Sequence, residues 1–136
     1  MRLKKRFREF WCFTRYEASM QFLRGNAAPL AAITAQEAVL FDPRRQLHYG
    51  YAAVVEANNK AATLYDKVEW NHFLTDYSKV FRRQKRAEWV GIQRARARLA
   101  ATGEWVEFEF FVVEHFTYEG GDWKLLLRFT SPIAEA

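Results

Sequence analysis

"VLFDPRRQLHYG" occupies residues 39–50. Apolar residues suited to a buried strand end on a carboxylate, Asp42, and Pro43, with no backbone N–H to offer a sheet, cuts the run off. Side chains alternate along a strand, so Ala38, Leu40 and Asp42 share one face of a strand over 37–42, and Val39 and Phe41 the other. Both faces are apolar, which implies cover on both sides. The carboxylate then has two readings. It caps its own turn through the backbone N–H groups of "DPRRQ", or it points into the interior as a pocket acid.

Upstream, residues 5–24 read as a helix. Phe7, Phe10, Trp11, Thr14, Ala18 and Phe22 recur at three- and four-residue steps and so lie along one face. Gly25 is a natural stop after Arg24. Asn26 can cap a short second helix through about Thr34, with Pro29 in its first turn. Downstream, Gly50 opens a third helix over 51–65, with Val54, Asn58 and Ala61 on one side. From Val68 the period changes to two, giving strands near 69–81, 87–100, 104–118 and 123–130. "RRQKR", Thr102-Gly103 and "EGGD" separate them as turns. Connections this short join antiparallel neighbours. The expected architecture is α+β: N-terminal helices packed on one face of a strongly curved antiparallel sheet. The 136 residues are expected to form a single domain, 1–136, with no repeats or linkers.

Composition bounds the function. Half the residues are hydrophobic and 17% are aromatic, which excludes a disordered chain and suggests a wide core, a lined cavity or a subunit interface. Cys12 is the one cysteine, so neither a disulfide nor a cysteine-based zinc site forms within the chain, and Cys12 reads as inert packing beside Trp11. His48, His72 and His115 show no short metal-site spacing, and no metal or other cofactor is expected. The N-terminus begins basic like a signal peptide, but Arg8, Glu9 and Arg15 interrupt its apolar part. With no run long enough to span a membrane, a cytoplasmic protein is expected. The formal charge of +5 is clustered: Arg2 to Arg8, Arg82 to Arg86, and Arg94, Arg96 and Arg98 at every second residue. Such rows can track phosphates, but no helix-turn-helix or RNP-type motif accompanies them. Solvated helix, hairpin and strand faces are the expected role, and nucleic acid is not an expected partner.

Within "EWVEFEFFVVEHFTYEGG", one register holds Val106, Phe108, Phe110, Val112, Glu114, Phe116 and Tyr118. Unbroken alternation puts Glu114 on the concave face among aromatics, where lost hydration raises a carboxyl pKa and keeps it protonated. A β-bulge would turn it outward instead, and a His72 or Arg partner would make it structural. In the register of Val68 and Trp70, His72 faces inward, as a core histidine or a pocket group. His48 lies in a loop or at a pocket mouth. Trp89 and Phe111 are placed on the outer sheet face beside charges, which suggests a homodimer through that face.

The segments "FLRGNAAPLAAITAQEAVLFDPRRQLHYGYAAVVEA" and "VEHFTYEGGDWKLLLRFTS" resemble the NTF2-like superfamily, which includes SnoaL-like polyketide cyclases and ketosteroid isomerases. The resemblance spans roughly residues 7–131. It rests on Gly25-Asn26 leading into a short helix, the strand ending in Asp42-Pro43, the Gly50 that opens a helix, and the closing hairpin. It implies a cone-shaped fold in which helices and a bent sheet enclose a hydrophobic pocket. By the same resemblance Asp42 falls on the position of the general base in ketosteroid isomerases. Glu114, before His115-Phe116, falls on a protonated acid that hydrogen-bonds the developing enolate. The tyrosine those enzymes carry on the first helix would fall at Ala18, with Tyr16 two residues away, which puts steroid isomerisation in doubt.

The sequence reading is therefore a small-molecule-binding protein, homodimeric, whose partner is a small, largely apolar molecule. It would act as an isomerase, cyclase or dehydratase-type enzyme through Asp42 and Glu114, if it is an enzyme. Phe10, Thr14, Tyr16, Leu40, Trp70, His72, Phe110, Val112 and Phe116 are expected to line the pocket. A second reading is a non-catalytic dimerisation or partner-binding module on the same fold, using the basic helix and the arginine row. A third is epoxide hydrolysis, which in that fold needs an Asp–Arg–Asp cluster.

Overall fold

The computed structural model describes residues 2–133. The chain begins with three consecutive helical segments: α1 (Arg2–Glu9), a π-helical segment (Phe10–Arg15) and α2 (Tyr16–Phe22). A π turn bonds i to i+5 and holds an extra residue, so the inward face advances by one position across it. Phe7 is buried before it, Phe10 and Arg15 at its two ends, and Ala18 and Ser19 after it. Thr14, which regular α-helical spacing turns inward, is exposed, and Arg15 takes its place. Cys12 on the same segment is also exposed, not packed.

Gly25 ends the helix with φ +93, and a Cβ there would stand 2.7 Å from the Tyr65 carbonyl oxygen. Asn26 Oδ1 accepts from the Ala28 N–H at 3.1 Å, at the start of α3 (Ala28–Ala32). That helix is shorter than its sequence suggests, because Thr34 already belongs to β1 (Thr34–Phe41). A short strand, β2 (Leu47–Tyr49), pairs back on β1 before α4 (Tyr51–Ala62). The long strands β3 (Tyr65–Phe81), β4 (Arg86–Leu99), β5 (Trp105–Glu119) and β6 (Asp122–Pro132) follow as an antiparallel meander.

The sheet order is β2-β1-β6-β5-β4-β3. β1 runs parallel to β6, so the curved sheet is mixed and not wholly antiparallel. Strands so distant in sequence need no hairpin, and nothing local forces them to be antiparallel. The helices cover the concave face, where Phe7, Phe10, Trp89, Phe116 and Trp123 pack with Leu30 and Ile33.

Trp89, expected outside, is 1% exposed and stacks on Trp11 with ring centroids 4.5 Å apart. Gly91 makes room for it: a Cβ at Gly91 would stand 2.7 Å from the Trp89 ring and 2.1 Å from the Leu74 carbonyl oxygen. Two register breaks decide which side chains face inward elsewhere. In β3 the break between Val68 and Trp70 turns Asn71 inward and leaves His72 exposed. In β6 the pairing skips Leu126, so Leu125 and Thr130 are both buried and Arg128 reaches the interior. A bulge exchanges the two faces of a strand.

No described helix is long and apolar enough to cross a membrane.

Candidate functional site

Between α2, α4 and the concave face of the sheet lies a cavity of about 700 Å³. Phe22, Leu23, Leu30, Leu40, Phe108 and Phe110 give it apolar walls. Its inner end is polar, formed by Arg15, Ser19, Gln93 and Arg128. Asp42, Arg44, His48, Glu56 and Lys60 stand around the remaining wall, where the side chains are partly or fully solvent-exposed.

Glu114 lies behind the polar end, fully buried. Arg15 donates to it from Nε at 2.9 Å and from Nη2 at 2.7 Å. Arg128, its cross-strand neighbour, donates from Nη1. Burial pushes the Glu114 carboxyl up, but the charges of Arg15 and Arg128 and their hydrogen bonds outweigh it and hold the group below the usual glutamate range. Glu114 is thus an ionised counter-charge, and the expectation of a neutral hydrogen-bond donor is corrected. A protonated carboxyl needs an environment without cations, and two guanidiniums stand here.

The network continues through neutral amides. Arg128 Nη2 donates to Gln93 Oε1 at 2.9 Å, and Gln93 Nε2 donates to Asn71 Oδ1 at 3.0 Å. Asn71 Nδ2 donates to Ser19 Oγ at 3.0 Å. Fixed donors and acceptors of this kind hold a polar end open inside an apolar core.

Asp42 follows the last residue of β1, stands on the cavity wall and caps its own turn as well. Its Oδ1 accepts from the backbone N–H groups of Arg44 and Gln46, each at 2.9 Å. Oδ2 meets His48 Nε2 at 3.0 Å. Slight burial raises the Asp42 carboxyl, while the bonds from His48, Gln46 and Arg44 outweigh it and hold it below the usual aspartate range. The β1–β2 pairing places Leu40 opposite His48, which carries the imidazole back to the carboxylate. No arginine pairs with Asp42 among the described residues, and no group of three His, Cys, Asp or Glu side chains there could hold a metal ion.

The other expected lining residues divide. Leu40 and Phe110 line the cavity. Phe10 and Thr14 border a separate cleft beside Trp123 and Lys124. Val112 and Phe116 are packed solid at 0% exposure, leaving no open space against them. Tyr16 is turned outward by the π segment, and its hydroxyl donates to the Asn71 carbonyl at 2.9 Å. Trp70 and His72 lie together on the convex face, opposite Arg96 and Arg94. The arginine row is paired as well: Arg94 with Glu109, Arg96 with Glu69 and Glu107, Arg98 with Asp66.

Sequence reasoning missed Arg15, Arg128 and Gln93. The first two are hidden by the π segment and the β6 bulge. Gln93 had a signal: with Arg94, Arg96 and Arg98 outside, the register of Gly91, Gln93, Ala95 and Ala97 must face inward, and Gln93 is its one polar member.

No family model matches the sequence, and no curated protein matches it. Solved structures do. The chain is similar to a ketosteroid isomerase-like protein from Erwinia carotovora atroseptica, at 17% identity and TM-score 0.70, over 93% of this chain and 98% of that one. It is similar to a candidate dehydratase of the NTF2-like family from Streptomyces avermitilis, at 16% identity and TM-score 0.69, over 90% and 91% of the two chains. A nuclear transport factor 2 (NTF2-like) superfamily protein from Salmonella enterica serovar Typhimurium gives TM-score 0.70 at 11% identity, over 89% and 87%. The chain has the NTF2-like fold.

Proposed function

We propose that the cavity binds a small, largely apolar molecule and that His48, held by Asp42, moves a proton on it. The 3.0 Å contact between Asp42 Oδ2 and His48 Nε2 on the cavity wall carries this reading. With both Asp42 oxygens engaged and its affinity for a proton lowered, the carboxylate is a poor base and a good orienting partner. In the tautomer that gives Nε2–H to Asp42, the Nδ1 lone pair is the base. The role first read for Asp42 therefore passes to its neighbour. The names of the candidate dehydratase and the ketosteroid isomerase-like neighbour favour proton transfer beside a carbonyl.

Deuterium uptake from D2O into cyclic ketones tests it. The wild-type protein should accelerate exchange, and His48→Gln and Asp42→Asn should remove the acceleration. Ketone binding without accelerated exchange would leave a binding module and sink the catalytic half.

The convex face supports a second element, self-association. Phe41 stacks on Phe129 there at 5.0 Å, and Phe111 and Leu74 stand exposed, apolar side chains that a second copy would cover. The paired rows of both signs beside it let a second copy approach without repulsion. Sedimentation at tens of micromolar should show a dimer, and Phe111→Glu a monomer; a monomeric wild type would remove the idea.

A further inference from the structure

The polar end of the cavity carries more positive charge than the protein balances. Arg15 and Arg128 share one carboxylate, Glu114, and every other hydrogen-bonding partner there is neutral. The two guanidiniums donate four hydrogen bonds to protein atoms, fewer than half the N–H donors they carry. Arg15 is 2% exposed, lines the cavity, and its Nη1 is buried with no partner among the described residues. Buried charge ordinarily finds a counter-charge, and buried N–H groups find acceptors. Here one positive charge remains over at the polar inner end of the cavity, and one buried Arg15 nitrogen is left without a hydrogen-bond partner among the described residues.

We propose that this end is an anion subsite and that the cavity takes an amphipathic carboxylate. The carboxylate sits against Arg128 and Arg15, and the hydrocarbon body lies along Leu40, Phe108 and Phe110. The chemistry selects the class. A carboxylate is planar and accepts two parallel N–H bonds from a guanidinium. The apolar stretch formed by Leu40, Phe108 and Phe110 rewards a hydrocarbon body next to the carboxylate. Gln93 locks the Arg128 guanidinium in place through Nη2, so its orientation is set before a ligand arrives. A ligand held this way presents its far end to the Asp42–His48 pair. The inference deepens the cavity-binding reading and rests on it.

Calorimetric titration of the full chain with octanoate and 4-phenylbutyrate, each against its uncharged amide, tests the proposal. At least one carboxylate should bind ten-fold or more tightly than its amide. Arg128→Gln should erase that difference. Glu114→Gln, which increases the positive excess, should widen it. The wild-type comparison stands even if either variant fails to fold. Equal binding of carboxylate and amide would overturn the anion subsite while leaving the cavity a binding site. Absence of binding by all four compounds would overturn the subsite together with the binding reading.

Discussion

Arg15 and Glu114 lie 99 positions apart in the chain and meet through two hydrogen bonds with both side chains buried. The contact ties the N-terminal helix to the middle of β5. It also sets the charge of the cavity's inner end, because Glu114 neutralises only one of the two arginines beside it.

Removing the acid should therefore cost more than the pair contributes as a pair. Glu114→Ala leaves two guanidiniums in the interior without an anion, and breaking a buried pair in this way costs about 3–5 kcal/mol. Urea unfolding measures it. A loss below about 1 kcal/mol would mean that water already solvates the cluster.

The same group makes stability depend on pH. Its folded carboxyl lies below the ordinary 4.5, so the unfolded chain binds a proton more readily. The stabilisation is fully present above that unfolded value and is lost as pH falls through the folded one. Melting temperature should thus decline on acidification below 4.5, and Glu114→Gln should lack this component. Parallel acid limbs for the two proteins would contradict the ionised state.

Asp42 serves its turn and its histidine through different oxygens, and substitution separates them. Asparagine keeps an acceptor for the Arg44 and Gln46 N–H groups, so Asp42→Asn should unfold near the wild-type temperature. Asp42→Ala removes the acceptor and should lose about 1 kcal/mol. Equal melting temperatures for all three proteins would show that the turn does not need the side chain.

Gly91 is constrained by space. A methyl group there meets the Leu74 carbonyl oxygen at 2.1 Å and the Trp89 ring at 2.7 Å, and neither backbone nor a stacked indole yields easily. Gly91→Ala should destabilise by about 1–3 kcal/mol and perturb tryptophan fluorescence. A variant as stable as the wild type would mean that β3 can shift at its neighbouring bulge, between Thr75 and Tyr77.

What the sequence determined by itself is what local chemistry decides. The two-residue alternation of β4 and β5, the stop at Gly25 and the turn at Asp42-Pro43 each depend on neighbours a few positions away, and each is legible there; Asn26 makes a local bond to the Ala28 N–H, while the N-cap of α3 is Ala27. That alternation also marks Glu114 as an inward residue of β5. The tertiary structure alone decided its ionisation and its company. One extra residue in the helical segment before Tyr16 turns Arg15 inward, one bulge in β6 does the same for Arg128, and another in β3 exchanges His72 for Asn71. Each is a single-residue slip that rotates a helix face or swaps the faces of a strand. Its position is set by which distant strand or side chain it must meet, and that information is not carried within the segment that slips.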